Sequence, residues 1–363
     1  MRRRQLIFYK FLTTKIIKNF FAILSITALI IFANQFFLVL KQSMTEGFFS
    51  SELIPMMLLK LLRDLSFLIS LSFILSIIYS LNELYKSSEL IIFKNAGFGD
   101  SELIRLISPL IFIFILVTFF WTAYLTPIIK TDIEIIKENA RSRPGYIFFK
   151  EGVFKNFKEQ GITIFSSEVQ NLDNSENQHL KNVFIFSDIQ KKLILANSGN
   201  KLIDQTNENV YLYLFNGKIY EVINSDKNTI SVSEFGTLTL KLYDASSENL
   251  KLDLSGAEFK KFVDLFDGKE KNIRELLYRI SIPIALFLMS IFSVIISKAS
   301  PRKQKNFSIA YGLLSYILYY NLLIFVKDSE VFYTYNLLIN FIIIHVIAIA
   351  IFFFIKRKTL FLK

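Results

Sequence analysis

Six long apolar runs dominate the chain, near residues 17–40, 54–82, 103–126, 279–297, 307–326 and 336–355. A transmembrane helix needs roughly 20 consecutive apolar residues, so each run predicts one membrane span. Between the third and fourth runs the pattern changes. Over residues 127–275 apolar and polar positions alternate, which is the period of half-buried strands. ITIFSSEV, NVFIFSDI and KLILAN read as short strands with turn residues between them. In VYLYLF-NG-KIYEVI, Asn216 and Gly217 suit the two positive-φ positions of a type I′ turn, which predicts a hairpin over 210–223. ISVSEFGTLTLKLY follows as a further strand or pair. Strands at this spacing point to a sandwich or an open barrel. Residues 255–276 read as helical and lead back to the membrane.

Charge gives this pattern an orientation. The net charge is +11, but residues 127–275 hold 20 Lys/Arg against 22 Asp/Glu, while the remainder holds 22 against 9. The basic excess therefore belongs to the membrane part, where Lys and Arg collect in cytoplasmic loops. Arg2, Arg3, Arg4, Lys10, Lys15 and Lys18 precede the first span. Lys298, Arg302, Lys303 and Lys305 follow the fourth, and Lys356, Arg357, Lys358 and Lys363 follow the sixth. With six spans all three groups face the cytoplasm, and 127–275 lies outside. A retained first span is expected, because the apolar run exceeds the roughly 7–15 residues of a signal-peptide core.

The composition narrows the chemistry. There are no cysteines and two histidines, His179 and His345, so a thiolate site, a cysteine nucleophile or a His-based metal centre is not expected. No Gly-x-x-x-x-Gly-Lys-Ser/Thr loop is present to cradle ATP phosphates, and no His-Glu-x-x-His or Gly-x-Ser-x-Gly pattern occurs. No cofactor and no nucleic-acid partner are expected, and the reading is not that of an enzyme. Spans nearly free of ionisable residues do not suit an ion pump. His345 is the exception, either a neutral packing residue or a proton carrier. Near the outer end of the second span stand Lys60, Arg63 and Asp64, with Lys60 and Asp64 four apart on one helix face. They are either a snorkelling pair or a rim that meets anionic headgroups.

Between the second and third spans lies NELYKSSELIIFKNAGFGDSELIRLISP, amphipathic over about 83–97. Gly97 suits its C-cap, and Asp100 or Ser101 suits the next N-cap. It is either an interfacial helix or a docking helix for a nucleotide-driven partner. Here the chain resembles the LptF/LptG (YjgP/YjgQ) permeases of the lipopolysaccharide export ABC transporter. Ser88-Glu89-Leu90 to Gly97 is similar to the family's coupling segment. ENARSRPGYIFFKEGVF, with Pro144-Gly145, Gly152 and Phe154, resembles its lead-in to the periplasmic domain. RELLYRISIP, with Glu275, Arg279 and Pro283, resembles the start of the fourth span, and Pro301-Arg302 the loop after it. The four motifs follow in order along the whole chain, and the second and fourth lean toward the F-type subunit.

The resemblance implies a membrane α-helical fold of six transmembrane helices with an inserted all-β, β-jellyroll-like periplasmic domain. Residues 1–126 would carry spans one to three with the coupling helix near 83–97, 127–275 the jellyroll, and 276–363 spans four to six. It implies an inner-membrane permease that takes lipopolysaccharide from the bilayer and passes it to a periplasmic bridge. The implied partners are an LptG-like second permease, an LptB-like cytoplasmic ATPase dimer and an LptC-like single-span jellyroll protein. Glu89 matches the acidic coupling position, and Lys41 lies about two residues from a basic position at the outer end of the first span. Lys41, Lys60 and Arg63 are the expected lipid-phosphate rim. Two other readings stand beside this one: a non-transporting membrane scaffold whose β-domain binds a partner, and a lipoprotein-extracting ABC permease.

Overall fold

The computed structural model describes residues 2–46, 50–90, 99–141, 147–157, 161–172, 177–204, 206, 209–224, 229–243, 253–298, 307–329 and 337–361. The chain divides into two compact units. One comprises 1–35, 57–133 and 253–363, and the other 36–56 and 134–252. Seven helices are described: α1 (Arg2–Glu46), α2 (Ser50–Lys86), α3 (Asp100–Phe120), α4 (Thr126–Arg141), α5 (Glu270–Ile296), α6 (Ser308–Asp328) and α7 (Leu337–Phe361). Among the described residues five apolar helices have spanning length, counting α3 and α4 as one, and α7 adds an apolar stretch over Leu338–Ile351.

In the helical unit α2 is the buried axis. Its serines 66, 70, 72, 76 and 80 are buried among Leu68, Phe73, Ile74, Ile77, Ile78 and Leu81. Small residues let membrane helices approach closely, and their hydroxyls must find partners because lipid offers none. Ser70 and Ser76 donate back to the carbonyls of Ser66 and Phe73. Asn19 of α1 donates to Ser80 at 2.8 Å, and Thr27 meets Ser72 at 3.2 Å. Gly312 lets α6 reach α2, since a Cβ there would collide with Ile78. Phe73 stacks on Phe114 of α3 with centroids 4.0 Å apart.

Prolines in the spans leave carbonyls that the fold satisfies. Pro283 in α5 has no amide for the Arg279 carbonyl, and Thr122 Oγ1 donates to that oxygen at 3.3 Å. Pro109 frees the Arg105 carbonyl, which takes the Ser108 hydroxyl at 2.9 Å. Before Pro127 the helix widens into one π-helical turn, Trp121–Leu125, and then continues as α4 to Arg141. The helix that carries the third span therefore continues past 126. Ile129 and Ile133 keep a buried helical face. Residues 255–276 also differ from the expectation: two short 3₁₀ turns, Ala257–Phe259 and Val263–Phe266, precede α5. At the other end of the bundle α2 runs past Glu83 to Lys86, and the chain breaks at Ser88, whose φ is +63°.

The second unit carries one antiparallel sheet in sequence order: β1 (Lys155–Phe157), β2 (Ile162–Asn171), β3 (Gln178–Ser187), β4 (Lys192–Ile203), β5 (Val210–Asn224) and β6 (Thr229–Tyr243). The expected hairpin at 210–223 is not formed. β5 runs straight through Asn216-Gly217, paired with β4 on one side and β6 on the other. The local signal was real, since Asn216 has φ +51°, but it serves a crease rather than a turn.

The ladders define that crease. Between Ser166↔Val183 and Glu168↔Lys181, the pair Ser167–Asn182 is skipped. Asn197 and Asn216 are skipped in the same register between β3, β4 and β5, as are Asn216 and Gly236 between β5 and β6. One row therefore crosses five strands: Ser167, Asn182, Asn197, Asn216, Gly236. Burial changes phase there. In β3 Gln178 and Leu180 are buried before the row, then Val183 and Ile185. In β4 Ile194 and Ala196 give way to Gly199 and Lys201. A flat strand would turn its next residues outward. The extra residue per strand instead keeps one face inward on both sides, around Ile164, Leu180, Ile185, Leu212, Leu214 and Leu242. Each such buried side chain contributes about 1.5–3 kcal/mol. Asn182, at φ +49°, and Asn216 bend the two strands that run in one direction. Gly217 is required beside the row, because a Cβ would strike the Leu195 carbonyl and the Phe235 ring. The Gln178 amide closes the interior by pairing with both N and O of Phe149, at 2.7 and 3.0 Å.

Asn216→Gly is expected to leave thermal unfolding of the purified protein nearly unchanged, because glycine adopts positive φ freely. Asn216→Val is expected to lower stability by roughly 1–2 kcal/mol, the cost of a left-handed β-branched residue. Equal melting of the two variants would show that the crease does not depend on that conformation.

Candidate functional site

The start of α5 carries charge on a helix otherwise suited to lipid. Arg274, Glu275 and Arg279 are each no more than 3% exposed. Isolated charges at such depth are costly and need partners. Glu275 supplies most of the pairing. One oxygen meets Arg279 Nε one turn along at 2.9 Å, and the other meets Lys327 Nζ at the end of α6 at 2.8 Å. The rest of the Arg279 guanidinium donates to the carbonyls of Lys260, Ala257 and Glu258 at 2.9–3.3 Å. That explains why the 3₁₀ turns fold where a helix was expected: their carbonyls face the arginine. Arg274 bonds Glu270 at 3.1 Å and the Ser329 carbonyl at 3.0 Å, tying α5 to the end of α6.

Asp267 fastens the lead-in to α5. It accepts from the Asn272 amide at 2.7 Å and from the Lys269 backbone at 3.1 Å. The Asn272 contact is the larger cause that holds its carboxyl below the usual range. Asp267 therefore loses its charge at a lower pH than an ordinary aspartate.

Glu275, Arg279 and Lys327 line a cavity of about 120 Å³ with Arg63 and Asp64 of α2, Thr122, Thr126 and Lys130 of the third span, and Tyr278 and Tyr320. Arg63 and Asp64 pair with each other at 2.8 and 3.0 Å, and Gln35 of α1 donates to Asp64 at 3.2 Å. Lys327 lies over the Tyr278 ring at 4.6 Å, and Tyr278 donates to Tyr320 at 3.0 Å. Lys130 faces the same space without a direct ion pair to a described carboxylate. The lining thus holds four cations, Arg63, Lys130, Arg279 and Lys327, against two carboxylates, Asp64 and Glu275. The surplus of positive charge suits an anion with several oxygen acceptors.

The expected residues divide. Glu275, Arg279 and Pro283, read from sequence as a structural motif, stand at the centre. Arg63 is present, but Asp64 largely neutralises it. Asp64 takes Arg63 and Gln35, although Lys60 lies one turn away. Lys60 is buried, only 8% exposed, and does not line the cavity. Lys41 is exposed on α1 and belongs to the other unit. Glu89 is half-buried just after the break at Ser88. Gly97, Pro144, Gly145, Pro301 and Arg302 lie outside the described residues. Sequence reading missed Lys130 and Lys327. Their signal was their place at the ends of apolar runs, where a lone lysine looks topogenic. At the opposite end of the bundle Lys15 meets Glu83 at 3.3 Å, and Lys298 meets Asp100 at 2.6 Å. His345 in α7 joins Tyr319 of α6 and Ser281 of α5 in a polar contact across three helices.

Apolar helices long enough to cross a membrane thus flank one antiparallel β domain, and the helical unit holds a buried charge cluster. Residues 10–358 match the family described as lipopolysaccharide export system permease LptF/LptG, and the chain belongs to that family. It is therefore a permease of the lipopolysaccharide export ABC transporter and a multi-pass inner-membrane protein that works with partner subunits. No curated protein matches the chain.

Glu275→Gln is expected to destabilise the purified protein by about 3–5 kcal/mol, since it leaves Arg279 and Lys327 buried without their counter-charge. Thermal unfolding in detergent reads this directly, and unchanged stability would show that the cluster is held by other groups.

Proposed function

We propose that this chain is the F-type permease subunit that extracts lipopolysaccharide from the inner membrane and passes it to the periplasmic bridge. The observation that carries the reading is the family match over residues 10–358 together with the β domain inserted between the third and fourth spans. Lipid extraction costs about 0.8 kcal/mol per CH₂ withdrawn from the bilayer, so several acyl chains together make spontaneous release prohibitive. The work comes from an LptB-like ATPase dimer acting on the segment after α2, with Glu89 as its acidic contact. An LptG-like subunit completes the cavity. Both termini face the cytoplasm and the β domain the periplasm, as the basic loops require.

The lipid phosphates meet a basic rim. Lys41 and Lys60 remain candidates, while Arg63 is weakened by Asp64. The cation surplus adds Lys130, with Lys327 and Arg279 behind it. The acyl chains follow the apolar inner face of the creased sheet. β6 is a sheet edge, with no seventh strand among the described residues, and it offers strand addition to an LptC-like jellyroll.

Proteoliposomes holding the complete transporter test this. Lys130→Glu and Lys41→Glu are each expected to reduce ATP-driven release of lipopolysaccharide to the bridge protein about tenfold, or about 1.4 kcal/mol. Wild-type release by either variant would remove that lysine from the rim. Glu89→Arg is expected to uncouple the ATPase, read as lost co-purification or lost stimulation of hydrolysis, and intact coupling would exclude Glu89 as the contact.

A further inference from the structure

The crease carries a feature that apolar lipid transport does not use. Asn182, Asn197 and Asn216 stand on three adjacent strands in one register row, and all three are exposed. Neighbouring strands lie about 4.8 Å apart, so the row sets three amides at that interval. Asn182 donates to Ser167 Oγ at 3.0 Å, while the Asn197 and Asn216 amides make no side-chain bond among the described residues. The row opens into a cavity of about 570 Å³, a size typical of ligand sites. Phe184, Leu195 and Phe235 give this cavity apolar walls. Phe184 is buttressed by Phe154, with ring centroids 6.3 Å apart. The two charged groups of the lining, Lys218 and Glu234, neutralise each other at 2.9 Å.

An amide offers both a donor and an acceptor, which matches a hydroxyl that does the same. A row of amides at strand spacing, bordered by aromatic and aliphatic carbon and carrying no net charge, selects a neutral polyhydroxylated ligand. A phosphate would find no cation left unpaired in this cavity, and an acyl chain would leave the amides unsatisfied. We infer that the creased sheet binds saccharide at the row Asn182, Asn197 and Asn216, and that this site holds the sugar portion of the transported glycolipid. The second clause rests on the permease reading above, and the first stands without it.

Calorimetric titration of the full-length protein in detergent with lipid-free core oligosaccharide, and separately with inorganic phosphate, tests the site. The variant is Asn182→Gly/Asn197→Ala/Asn216→Gly, in which glycine preserves the two positive-φ positions. Saturable binding of oligosaccharide but not phosphate is expected, weakened at least tenfold in the variant. Should the triple variant fold poorly, Asn197→Ala alone, at an ordinary backbone position, is expected to weaken binding severalfold. No binding to the wild-type protein, or equal binding by the variants, overturns the site. In proteoliposomes the variant is expected to slow release of complete lipopolysaccharide at least threefold, while release of a lipid A lacking core sugars is unchanged. Equal slowing of both would assign the row to the fold alone. A wild-type protein that binds oligosaccharide yet releases neither glycolipid would defeat the permease reading and leave the saccharide site standing.

Discussion

The helical unit depends on one carboxylate. Glu275 holds Arg279 along its own helix and Lys327 from the next, and without it two cations would be stranded in a region that water scarcely reaches. Breaking such a pair costs more than forming it gains, because the penalty lies in the charge left behind. The consequences extend outward from this contact. Arg279 gathers the carbonyls of 257–260 and so fixes how the chain returns to the membrane. Its own carbonyl, freed by Pro283, takes the Thr122 hydroxyl and so fixes the third span against the fourth. Glu275 and Arg279 thus tie α5 to three separate stretches of sequence: the turns at 257–260, Thr122 of the third span and Lys327 at the end of α6.

This economy explains what the sequence disclosed and what it withheld. The spans were plain, because bilayer thickness imposes a length that no soluble helix must meet. The β domain was plain too, because alternation survives in each half-strand. The hairpin at Asn216-Gly217 was misread because a left-handed Asn before Gly fits both a turn and a crease. Only the strands on either side decide, and they lie far along the chain. The phase change at Asn182 and Asn197 could have been seen as alternation that slips by one residue without a turn signal. In the bundle, Glu275 and Arg279 stood out through the family motif at the start of the fourth span, and their i, i+4 spacing went unused. Lys327 and Lys130 did not stand out, because their meaning depends on which helix ends share one end of the bundle.

The two units solve opposite problems with similar means. In the helices, polar side chains repair a backbone that lipid cannot hydrate. Ser70 and Ser76 answer carbonyls in their own helix, and Thr122 answers one across a helix boundary. In the sheet the backbone is already paired, and the difficulty is to keep a single apolar face turned inward over strands as long as 15 residues. One inserted residue per strand achieves that. It has to fall in the same row on each of the five strands that the crease crosses, since a slip on one alone would turn its remaining residues to the opposite face.

An amphiphile such as lipopolysaccharide presents a carrier with three incompatible surfaces: phosphates that need cations, chains that need hydrocarbon, and sugars that need neutral donors and acceptors. A site good for one repels another, because an unpaired cation in an apolar groove is as costly as an unsatisfied hydroxyl. On the reading proposed above, the protein separates these surfaces by element. Surplus cations stand at helix ends in the bundle, the inner face of the sheet is aliphatic, and amides collect where the sheet changes phase. The crease is the natural place for amides. Asparagine tolerates the left-handed backbone that the bend demands, so the residue that shapes the sheet also carries the polar group it exposes. In β5 that argument is complete within two positions: Asn216 supplies the bend and the amide, and Gly217 makes room for the Phe235 ring that walls the same cavity.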